Sequence, residues 1–272
     1  MPHINNQYGS NDLPDTCKSR LVQRDGTEKM QDRDVLHEHV INFYVNEVLT
    51  MKVTATPAHL PELVIGRLFS EGVIADADEV EALSICEFGT EIRVFLKEQT
   101  EKAPIADPDF MEITPTCCTD NRILNSAALV HRELHPVPPH SWKREDVFLL
   151  ADRFAEGMPL HRKTWGTHSC FLLHKGQIVF SCEDLGRHNA LDKVIGHALL
   201  ERIPLAECML YTSGRTPVDM VSKAIRAGIP VLVSKAVPTA EAVQLAKQYG
   251  LTLICSARRD SFLVLNDAGQ VL

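Results

Sequence analysis

Hydrophobic and polar residues divide the chain into segments with different periods. Residues 1–32 are polar and show little apolar periodicity, which predicts a mobile N-terminal tail. Apolar residues then alternate with polar ones over residues 40–45 and continue over residues 48–55. Two such runs separated by Asn46-Glu47 predict a β-hairpin.

A helix is predicted directly after this hairpin. Thr56-Pro57 is typical of a helix start, with threonine as the cap and proline at the first position. One helical face then carries Leu60, Leu63, Val64, Arg67 and Leu68. Gly72 would end the helix, and short strands are expected at residues 85–88 and 92–96. These elements indicate a small α+β domain over residues 33–121.

The end of this domain is predicted to be a long mobile loop. Residues 101–121 contain three prolines and no apolar period, and loops of this length in compact domains are usually functional. The loop carries the adjacent Cys117 and Cys118. An accessible thiol favours sulfur chemistry in which one cysteine carries a persulfide. Consecutive Cα atoms lie ~3.8 Å apart, below the ~4.4 Å that a disulfide needs, so a bridge between the two is not expected. The alternative is a pair of incidental loop cysteines.

The second half of the chain shows buried strands alternating with helices. Helices are expected at residues 122–131 and 144–156, and a hairpin at residues 169–173 and 178–182. Beyond the hairpin, helices are predicted at 191–200, 216–228 and 239–248, with apolar strands at 208–211, 229–233 and 251–255. This order is typical of parallel βαβ units with helices on both faces of a sheet. We therefore predict an α/β domain over residues 122–272.

Composition narrows the class of protein. The 272 residues include 28 Lys and Arg against 36 Asp and Glu, a formal net charge of −8, which argues against a general nucleic-acid binder. No run of ~18 apolar residues is present to span a membrane, and the N-terminus lacks the apolar core of a signal peptide. The eight cysteines are scattered apart from one pair. We expect a cytoplasmic protein with reduced thiols.

The richest candidate for chemistry is the charged segment that follows the hairpin, at residues 183–193. Backbone amides at a strand-to-helix turn attract anions, and Gly186 permits close approach of a ligand. Arginine and lysine would hold phosphate, histidine would move protons, and a carboxylate would orient the histidine or bind a purine N–H edge. The candidate cofactor-binding residues are Asp184, Arg187, His188, Asn189, Asp192 and Lys193. The alternative is a capped, salt-bridged helix start.

Three further segments would lie at the same edge of the predicted sheet. Ser213-Gly214-Arg215 forms a short turn after a buried strand, where open parallel sheets bind ligands, although such turns are also common without one. His168 precedes the first strand of the hairpin and would line the same site, or serve only the fold. The last buried strand is followed by Ser256, Ala257, Arg258, Arg259, Asp260 and Ser261. Two arginines there suit phosphate or guanine recognition, although exposed arginines after a strand are common.

No metal site is expected. His131-Arg132-Glu133 matches the His-x-Glu half of the zinc deaminase signature, but no Pro-Cys-x-x-Cys follows it. His37-Glu38-His39 would place two histidines on one face of a strand, which is a weak indication of a ligand pair. A zinc-dependent hydrolase or deaminase is therefore disfavoured.

Four blocks together resemble the formate dehydrogenase accessory sulfurtransferase (FdhD) family. The most specific are EDLGRHNALDKVIG and SGRTPVDMVSKAIRAGIPVLVSKAVPTAEAVQLAKQYGLTLI. The segments VNEVLTMKVTATPAHLPELVIGRLFSEGVI and WGTHSCFLLHKGQIVFSCED are similar to two earlier blocks of that family. The similarity runs over roughly residues 33–266.

The resemblance implies a fold, an activity and partners. The C-terminal domain would be a cytidine-deaminase-like α/β/α three-layer domain without zinc. The protein would take persulfide sulfur from a cysteine desulfurase and pass it to the molybdenum bis-molybdopterin guanine dinucleotide cofactor of formate dehydrogenase. The cofactor-contacting segment after the last core strand would be residues 256–261. A homodimer is also implied.

The sequence departs from the family pattern at two loops. The family's Cys-Gly-x-Cys-Gly loop is replaced by Thr-Cys-Cys-Thr-Asp-Asn, so Cys117 and Cys118 are alternative carrier thiols. If Cys117 corresponds to the first family cysteine, the second falls on Asp120. If Cys118 does, the second falls on Asn121. Arg259-Asp260 stands where small or Gly-rich sequence is usual. The altered cysteine pattern leaves open a second function, a cofactor-binding chaperone that has lost sulfur transfer.

Overall fold

A computed structural model describes residues 1–9, 14–98 and 133–269, together with the backbone of residues 122–123. The first part of the chain contains strands β1 (His3–Asn6), β2 (Pro14–Val22), β3 (Glu28–Leu36), β4 (His39–Val45) and β5 (Val48–Ala55), helix α1 (Leu60–Ser70), and strands β6 (Val80–Ile85), β7 (Glu91–Leu96) and β8 (Arg122–Ile123). The second part contains α2 (Arg144–Ala155), α3 (Pro159–Thr164), β9 (His168–His174), β10 (Gln177–Asp184), α4 (Arg187–Leu200), β11 (Cys208–Thr212), α5 (Val218–Arg226), β12 (Val231–Ser234), α6 (Ala240–Tyr249), β13 (Thr252–Cys255) and β14 (Leu263–Asn266).

The N-terminal residues correct the prediction of an unstructured tail over residues 1–32. β1 pairs in parallel with β6, and β2 pairs with β3 as a two-stranded antiparallel arm. Polar pairs hold this arm: the hydroxyl of Thr16 donates to Asp34, and Arg20 pairs with Glu28 at 3.2 Å. The prediction was wrong because cross-strand polar pairing leaves no apolar period to detect.

The first sheet has the strand order β1-β6-β7-β4-β5-β8 and packs its apolar face on α1. The predicted hairpin is confirmed as β4 and β5, whose two-residue turn has positive φ at both Asn46 and Glu47. Residues 86–88, predicted as part of a strand, instead form the turn between β6 and β7. The backbone at 122–123 is a strand that joins this first sheet, so these residues belong neither to a helix nor to the second sheet.

The second sheet confirms the predicted βαβ arrangement. Its strand order is β10-β9-β11-β12-β13-β14, and β11, β12 and β13 run parallel. α4, α5 and α6 pack on one face, and α2 packs on the other together with the segment that leads into β9. The sheet is therefore covered by helices on both faces, as its near-continuous apolar strands require. The likeness to cytidine deaminases stays a prediction.

The two sheets are joined by a close crossing of α1 and α4. A β-carbon at Gly66 would overlap the carbonyl oxygen of Asp192, and one at Gly196 would overlap that of Glu62. Only glycine permits this approach at either position, so the two helix backbones pack directly on each other. No helix within the described ranges is long and apolar enough to span a membrane.

Candidate functional site

The loops that carry the predicted site meet at one edge of the second sheet. β10 and β11 are both antiparallel to β9, and β11 is parallel to β12 and β13. The carboxyl ends of these four strands therefore lie at the same edge. In open α/β sheets, ligands bind in the crevice outside this edge.

Arg187 is the central charge at this edge. It begins α4, and only 8% of the residue is exposed. Its side chain packs on Gly214, because a β-carbon added to that glycine would lie 2.8 Å from the Cβ of Arg187. Its Nε has no hydrogen-bond partner, and no carboxylate among the described residues pairs with it. Because an unpaired buried cation is costly, this arrangement favours a bound anion.

His168 and Ser213 lie together beside Arg187, as predicted. The Nδ1 atom of His168 is 3.3 Å from the Oγ of Ser213, which also accepts a hydrogen bond from the backbone N–H of Ser169. Burial and the positive charge of Arg187 both lower the pKa of His168. His168 is therefore neutral at pH 7 and adds no second charge to the site.

His188 forms a buried pair with Asp219, which the sequence analysis did not single out as a site residue. The Nε2–H of His188 donates to the Oδ2 of Asp219 at 2.6 Å. Burial alone would raise the pKa of Asp219, but the hydrogen bond and charge of His188 outweigh it and lower the pKa to about 2. Asp219 lies in the first turn of α5, directly after the Ser213–Thr216 loop, and that position was the available signal.

Asp184, Asn189 and Lys193 have no exposed surface, and their contact with a ligand stays a prediction. Lys193 Nζ lies 2.6 Å from Asp184 Oδ2 and also donates to the carbonyl oxygen of Thr56. Asn189 Nδ2 donates to Asp184 and to the carbonyl oxygen of Thr54. These side chains attach α4 to the segment that follows β5. Of the alternative interpretation, the salt bridge is present, but no side chain caps the start of α4 at Gly186.

Thr56 takes part in this junction instead of capping a helix, so the predicted helix start is wrong. Its backbone N–H donates to Asp184, and its hydroxyl accepts from the backbone N–H of Leu185. α1 begins at Leu60, three residues after the predicted first position. Contacts with Asp184 and Leu185 have overridden a local capping preference.

Asp192 is also fully buried and does not reach the sheet edge. It accepts hydrogen bonds from Lys223 Nζ at 2.8 Å, Arg67 Nη1 at 3.3 Å and the hydroxyl of Ser70 at 2.5 Å. Glu71 completes this cluster through ion pairs with Arg67 and Lys223. Asp192 therefore links α1, α4 and α5, and its contact with a cofactor stays a prediction.

The turn after β11 is held in place by hydrogen bonds to the ends of β11 and β12. The hydroxyl of Ser234 donates to the carbonyl oxygen of Gly214, and the backbone N–H of Gly214 donates to Thr212. Arg215 is exposed at the tip of this turn. Thr216 does not cap α5, because the helix begins at Val218 and Thr216 is buried in a bridge with Pro238.

The loop after β13 lies beside a cavity of about 810 Å³. The backbone N–H groups of Ser256 and Ala257 donate to the loop after β12, and Arg258 N–H donates to the carbonyl oxygen of Ser261. Of the predicted segment, Ala257, Arg258, Arg259 and Asp260 line the cavity. The opposite wall comes from α2 and from α3, a helix that the sequence analysis did not predict.

The predicted carrier thiols, Cys117 and Cys118, lie outside the described residues. Cys170, Cys182 and Cys255 are fully buried, and burial raises their thiol pKa values, to about 12 for Cys170 and about 11 for Cys255. Thiols of this kind are poor nucleophiles.

Cys86 differs from the other described cysteines. It is half-buried in the turn between β6 and β7. Burial opposes ionisation there, but hydrogen bonds from the backbone N–H of Glu91 and from Thr90 outweigh it and lower the thiol pKa. Cys86 therefore serves as the reference thiol against which the loop cysteines should be tested.

Comparison with known proteins assigns this chain to a family. The FdhD/NarQ family model matches residues 36–272. The sulfur carrier protein FdhD of Sulfurisphaera tokodaii is 31% identical over 261 residues, which cover 92% of this chain and 96% of that protein. The protein of the same name from Brucella abortus is 31% identical over 255 residues, which cover 93% of this chain and 95% of that protein.

A solved structure shows the same fold. The crystal structure of a candidate formate dehydrogenase accessory protein from Desulfotalea psychrophila superimposes with a TM-score of 0.74 at 28% identity. The match covers 96% of this chain and 100% of that one. The family resemblance predicted from the sequence is confirmed, and the chain belongs to the FdhD/NarQ family.

Proposed function

We propose that this protein is a sulfur carrier that takes persulfide sulfur from a cysteine desulfurase and passes it to the molybdenum bis-molybdopterin guanine dinucleotide cofactor for formate dehydrogenase. Relatives named as sulfur carriers support the role. One observation on this chain carries the proposal. The guanidinium of Arg187 is buried at the sheet edge and has no partner among the described residues.

The side chains at this edge suit a substrate with pyrophosphate groups. Arg187 would hold a phosphate oxygen by charge-assisted hydrogen bonds, which are stronger than neutral ones. Gly214 leaves room for the arginine side chain, and the neutral His168 provides a further hydrogen-bonding group. The cofactor enters this account as the substrate to which sulfur is delivered.

The sulfur-loading step needs one thiolate and no external oxidant. The thiolate of Cys117 or Cys118 would attack the terminal sulfur of the desulfurase persulfide. A new S–S bond forms on the carrier, the old S–S bond breaks, and the desulfurase cysteine leaves as a thiolate. The sulfur oxidation states are conserved, because one persulfide is exchanged for another.

Mass spectrometry of the intact protein after incubation with a cysteine desulfurase and cysteine tests the proposal. We expect wild type and the control Cys86→Ala to gain the mass of one sulfur atom. Cys117→Ala or Cys118→Ala should abolish the gain and so identify the carrier. If the variant with both loop cysteines replaced still takes up sulfur to the same extent, the carrier proposal is wrong.

The altered cysteine pattern supports a second candidate, a cofactor-binding chaperone without transfer chemistry. In that case the variant lacking both Cys117 and Cys118 would still support maturation of formate dehydrogenase in a strain without the native protein. We also propose a cytoplasmic homodimer that does not bind nucleic acid. Light scattering during size-exclusion chromatography would give the oligomeric state.

A further inference from the structure

We propose that His188 is the base that takes the proton of the carrier thiol during sulfur loading, and that Asp219 is the residue that positions it. The proposal rests on the proposed function, in which the carrier is Cys117 or Cys118. His188 thereby serves the sulfur reaction rather than the cofactor, and Asp219 joins the site although the sequence analysis did not single it out.

His188 and Asp219 belong to the first turns of two helices, α4 and α5. His188 is buried, whereas the side chain of Asp219 is 31% exposed. The Nε2–H of His188 donates to the Oδ2 of Asp219 at 2.6 Å. This hydrogen bond selects the tautomer in which Nδ1 carries the lone pair, so Nδ1 is the atom that accepts a proton.

The charges around this pair leave Asp219 as the group that stabilises the imidazolium. The charged or titratable neighbours within the described ranges include Glu71, His168, Arg187 and Lys223. Glu71 is itself paired with Lys223, and His168 is neutral at pH 7. Arg187 opposes a positive charge on the imidazole, whereas the Asp219 carboxylate is hydrogen-bonded to it and favours that charge.

The backbone of β8 limits how far the carrier cysteines can lie from His188. Arg122 pairs with Lys52 of β5 in antiparallel register. Cys118 is four residues before Arg122 and Cys117 is five residues before it. Covalent geometry therefore keeps their Cα atoms within ~14–18 Å of the Cα of Arg122.

The part of β5 next to this pairing is bonded to the start of α4. Because β8 is antiparallel to β5, the chain enters Arg122 from the side of Thr54, which lies ~7 Å along the strand from Lys52. The carbonyl oxygen of Thr54 accepts a hydrogen bond from Asn189, the residue after His188. The first turn of α4 is therefore within reach of the segment that carries the thiols.

Sulfur loading needs a base, because an ordinary thiol is only about 3% ionised at pH 7. Nδ1 of His188 takes the thiol proton, and the resulting thiolate attacks the terminal sulfur of the desulfurase persulfide. The S–S bond of the carrier forms, the S–S bond of the donor breaks, and the departing thiolate takes the proton back from the imidazolium. A thiol and a persulfide are thereby exchanged without any further reactant.

The pH dependence of sulfur loading in His188→Gln tests the base. Intact-mass spectrometry follows loading by a cysteine desulfurase and cysteine, and the rate is expressed relative to wild type at each pH. We expect a loss of roughly 100-fold or more at pH 7. The loss should shrink towards pH 9.5, where the thiol ionises without a base. A wild-type rate at pH 7, or an equal loss at both pH values in the folded variant, would overturn the proposal.

Graded substitution of Asp219 tests the positioning role and carries the same pH test should His188→Gln not fold. Asp219→Ala should lower the loading rate at pH 7 by roughly tenfold or more, and Asp219→Glu should restore most of it. The matched control is His174→Gln, because His174 pairs with Glu207 at 3.2 Å at the opposite edge of the second sheet. It should load as wild type does, and an Asp219→Ala variant that also does so would overturn the positioning role.

Alkylation by iodoacetamide distinguishes this proposal from the proposed function, because it needs no sulfur donor. Peptide mass spectrometry compares Cys117 and Cys118 with Cys86 in the same sample. His188→Gln should slow alkylation of the carrier thiol at pH 7 by up to roughly 30-fold and leave Cys86 unchanged. Unchanged alkylation of both loop cysteines would overturn the base and leave the carrier role intact. Slower alkylation in a protein that takes up no sulfur would keep the base and remove the carrier role.

Discussion

Lys193 and Asp184 form an ion pair of 2.6 Å in which neither side chain has any exposed surface. The pair is part of a junction, because Lys193 also donates to the carbonyl oxygen of Thr56 and Asp184 accepts from the backbone N–H of the same residue. A charge in this position stabilises the protein only while its partner is present. The end of β10 and helix α4 are therefore held to the segment after β5 by charged residues whose spacing in the sequence suggests ligand binding.

Lys193→Met should destabilise the protein by ~3–5 kcal/mol, because it leaves the Asp184 carboxylate buried without its cation. Urea unfolding followed by circular dichroism would measure this. Lys247→Met, at an exposed position of α6, should change the free energy of unfolding little. The double variant Asp184→Asn/Lys193→Met should regain part of the loss. A small effect of Lys193→Met alone would contradict the role of the pair.

Substitution of Arg187 should weaken ligand binding, whereas substitution of Asp192 should lower the stability of the fold. Arg187→Met keeps much of the packing against Gly214 and should weaken binding of GDP by ~1.5–3 kcal/mol, with little loss of stability. Asp192→Asn should instead lower stability, because it weakens the contacts to Lys223 and Arg67, and leave GDP affinity of the folded protein unchanged. Calorimetry and urea unfolding of both variants check the assignment, and unchanged GDP affinity in Arg187→Met would count against the anion site.

Arg215 was predicted to bind an anion and is exposed at the turn beside Arg187. Arg215→Ala should weaken GDP binding less than Arg187→Met does, because water screens an exposed charge. The difference should shrink at low ionic strength, which calorimetry at two salt concentrations would reveal. Equal losses of GDP affinity in the two variants at all salt concentrations would contradict a weaker role for the exposed Arg215.

Stability should fall as the pH decreases from about 4.5 towards 2. Burial would raise the pKa of Glu71, but the charges of Arg67 and Lys223 lower it from 4.5 to about 2. Because the folded pKa is the lower one, the carboxylate stabilises the fold above the unfolded pKa, and this contribution is lost as the pH falls through the folded value.

Glu71→Gln tests this pH dependence. It should lower stability at pH 7 and make the dependence between pH 4.5 and 2 shallower, as measured by urea midpoints at each pH. Glu241→Gln, at an exposed site of α6, is the control. A profile for Glu71→Gln that runs parallel to that of wild type would show that Glu71 does not carry this effect.

Gly196→Ala should destabilise the protein by ~1–3 kcal/mol, because the added methyl group overlaps the carbonyl oxygen of Glu62 and forces α1 and α4 apart. Gly66→Ala should do the same through Asp192. Gly9→Ala is the control, since a β-carbon there meets nothing within 4 Å. Thermal unfolding compares the three variants, and equal melting temperatures would contradict the close helix crossing.

Side-chain periodicity predicts many of the regular elements, and with them the sheet edge at which the candidate site lies. Alternation and apolar runs identified the β4–β5 hairpin and the parallel strands β11, β12 and β13, because side-chain period follows directly from backbone geometry. The carboxyl ends of parallel strands meet at one edge, so the loops that carry His168, Ser213 and Asp260 could be assigned to one region of the molecule. The short helix α3 and the polar β2–β3 arm were missed because neither has a clear apolar period.

Long-range contacts separate the charged residues that lie at the candidate site from those that hold the fold. Arg187 and Lys193 both belong to α4, yet Arg187 has no ion-pair partner among the described residues, whereas Lys193 is buried and donates to the carbonyl oxygen of Thr56. Asp192 and Arg67 are 125 positions apart in the chain. The energy of a charge depends on its partners and on its burial, and both are set by contacts between distant segments that no local spacing encodes.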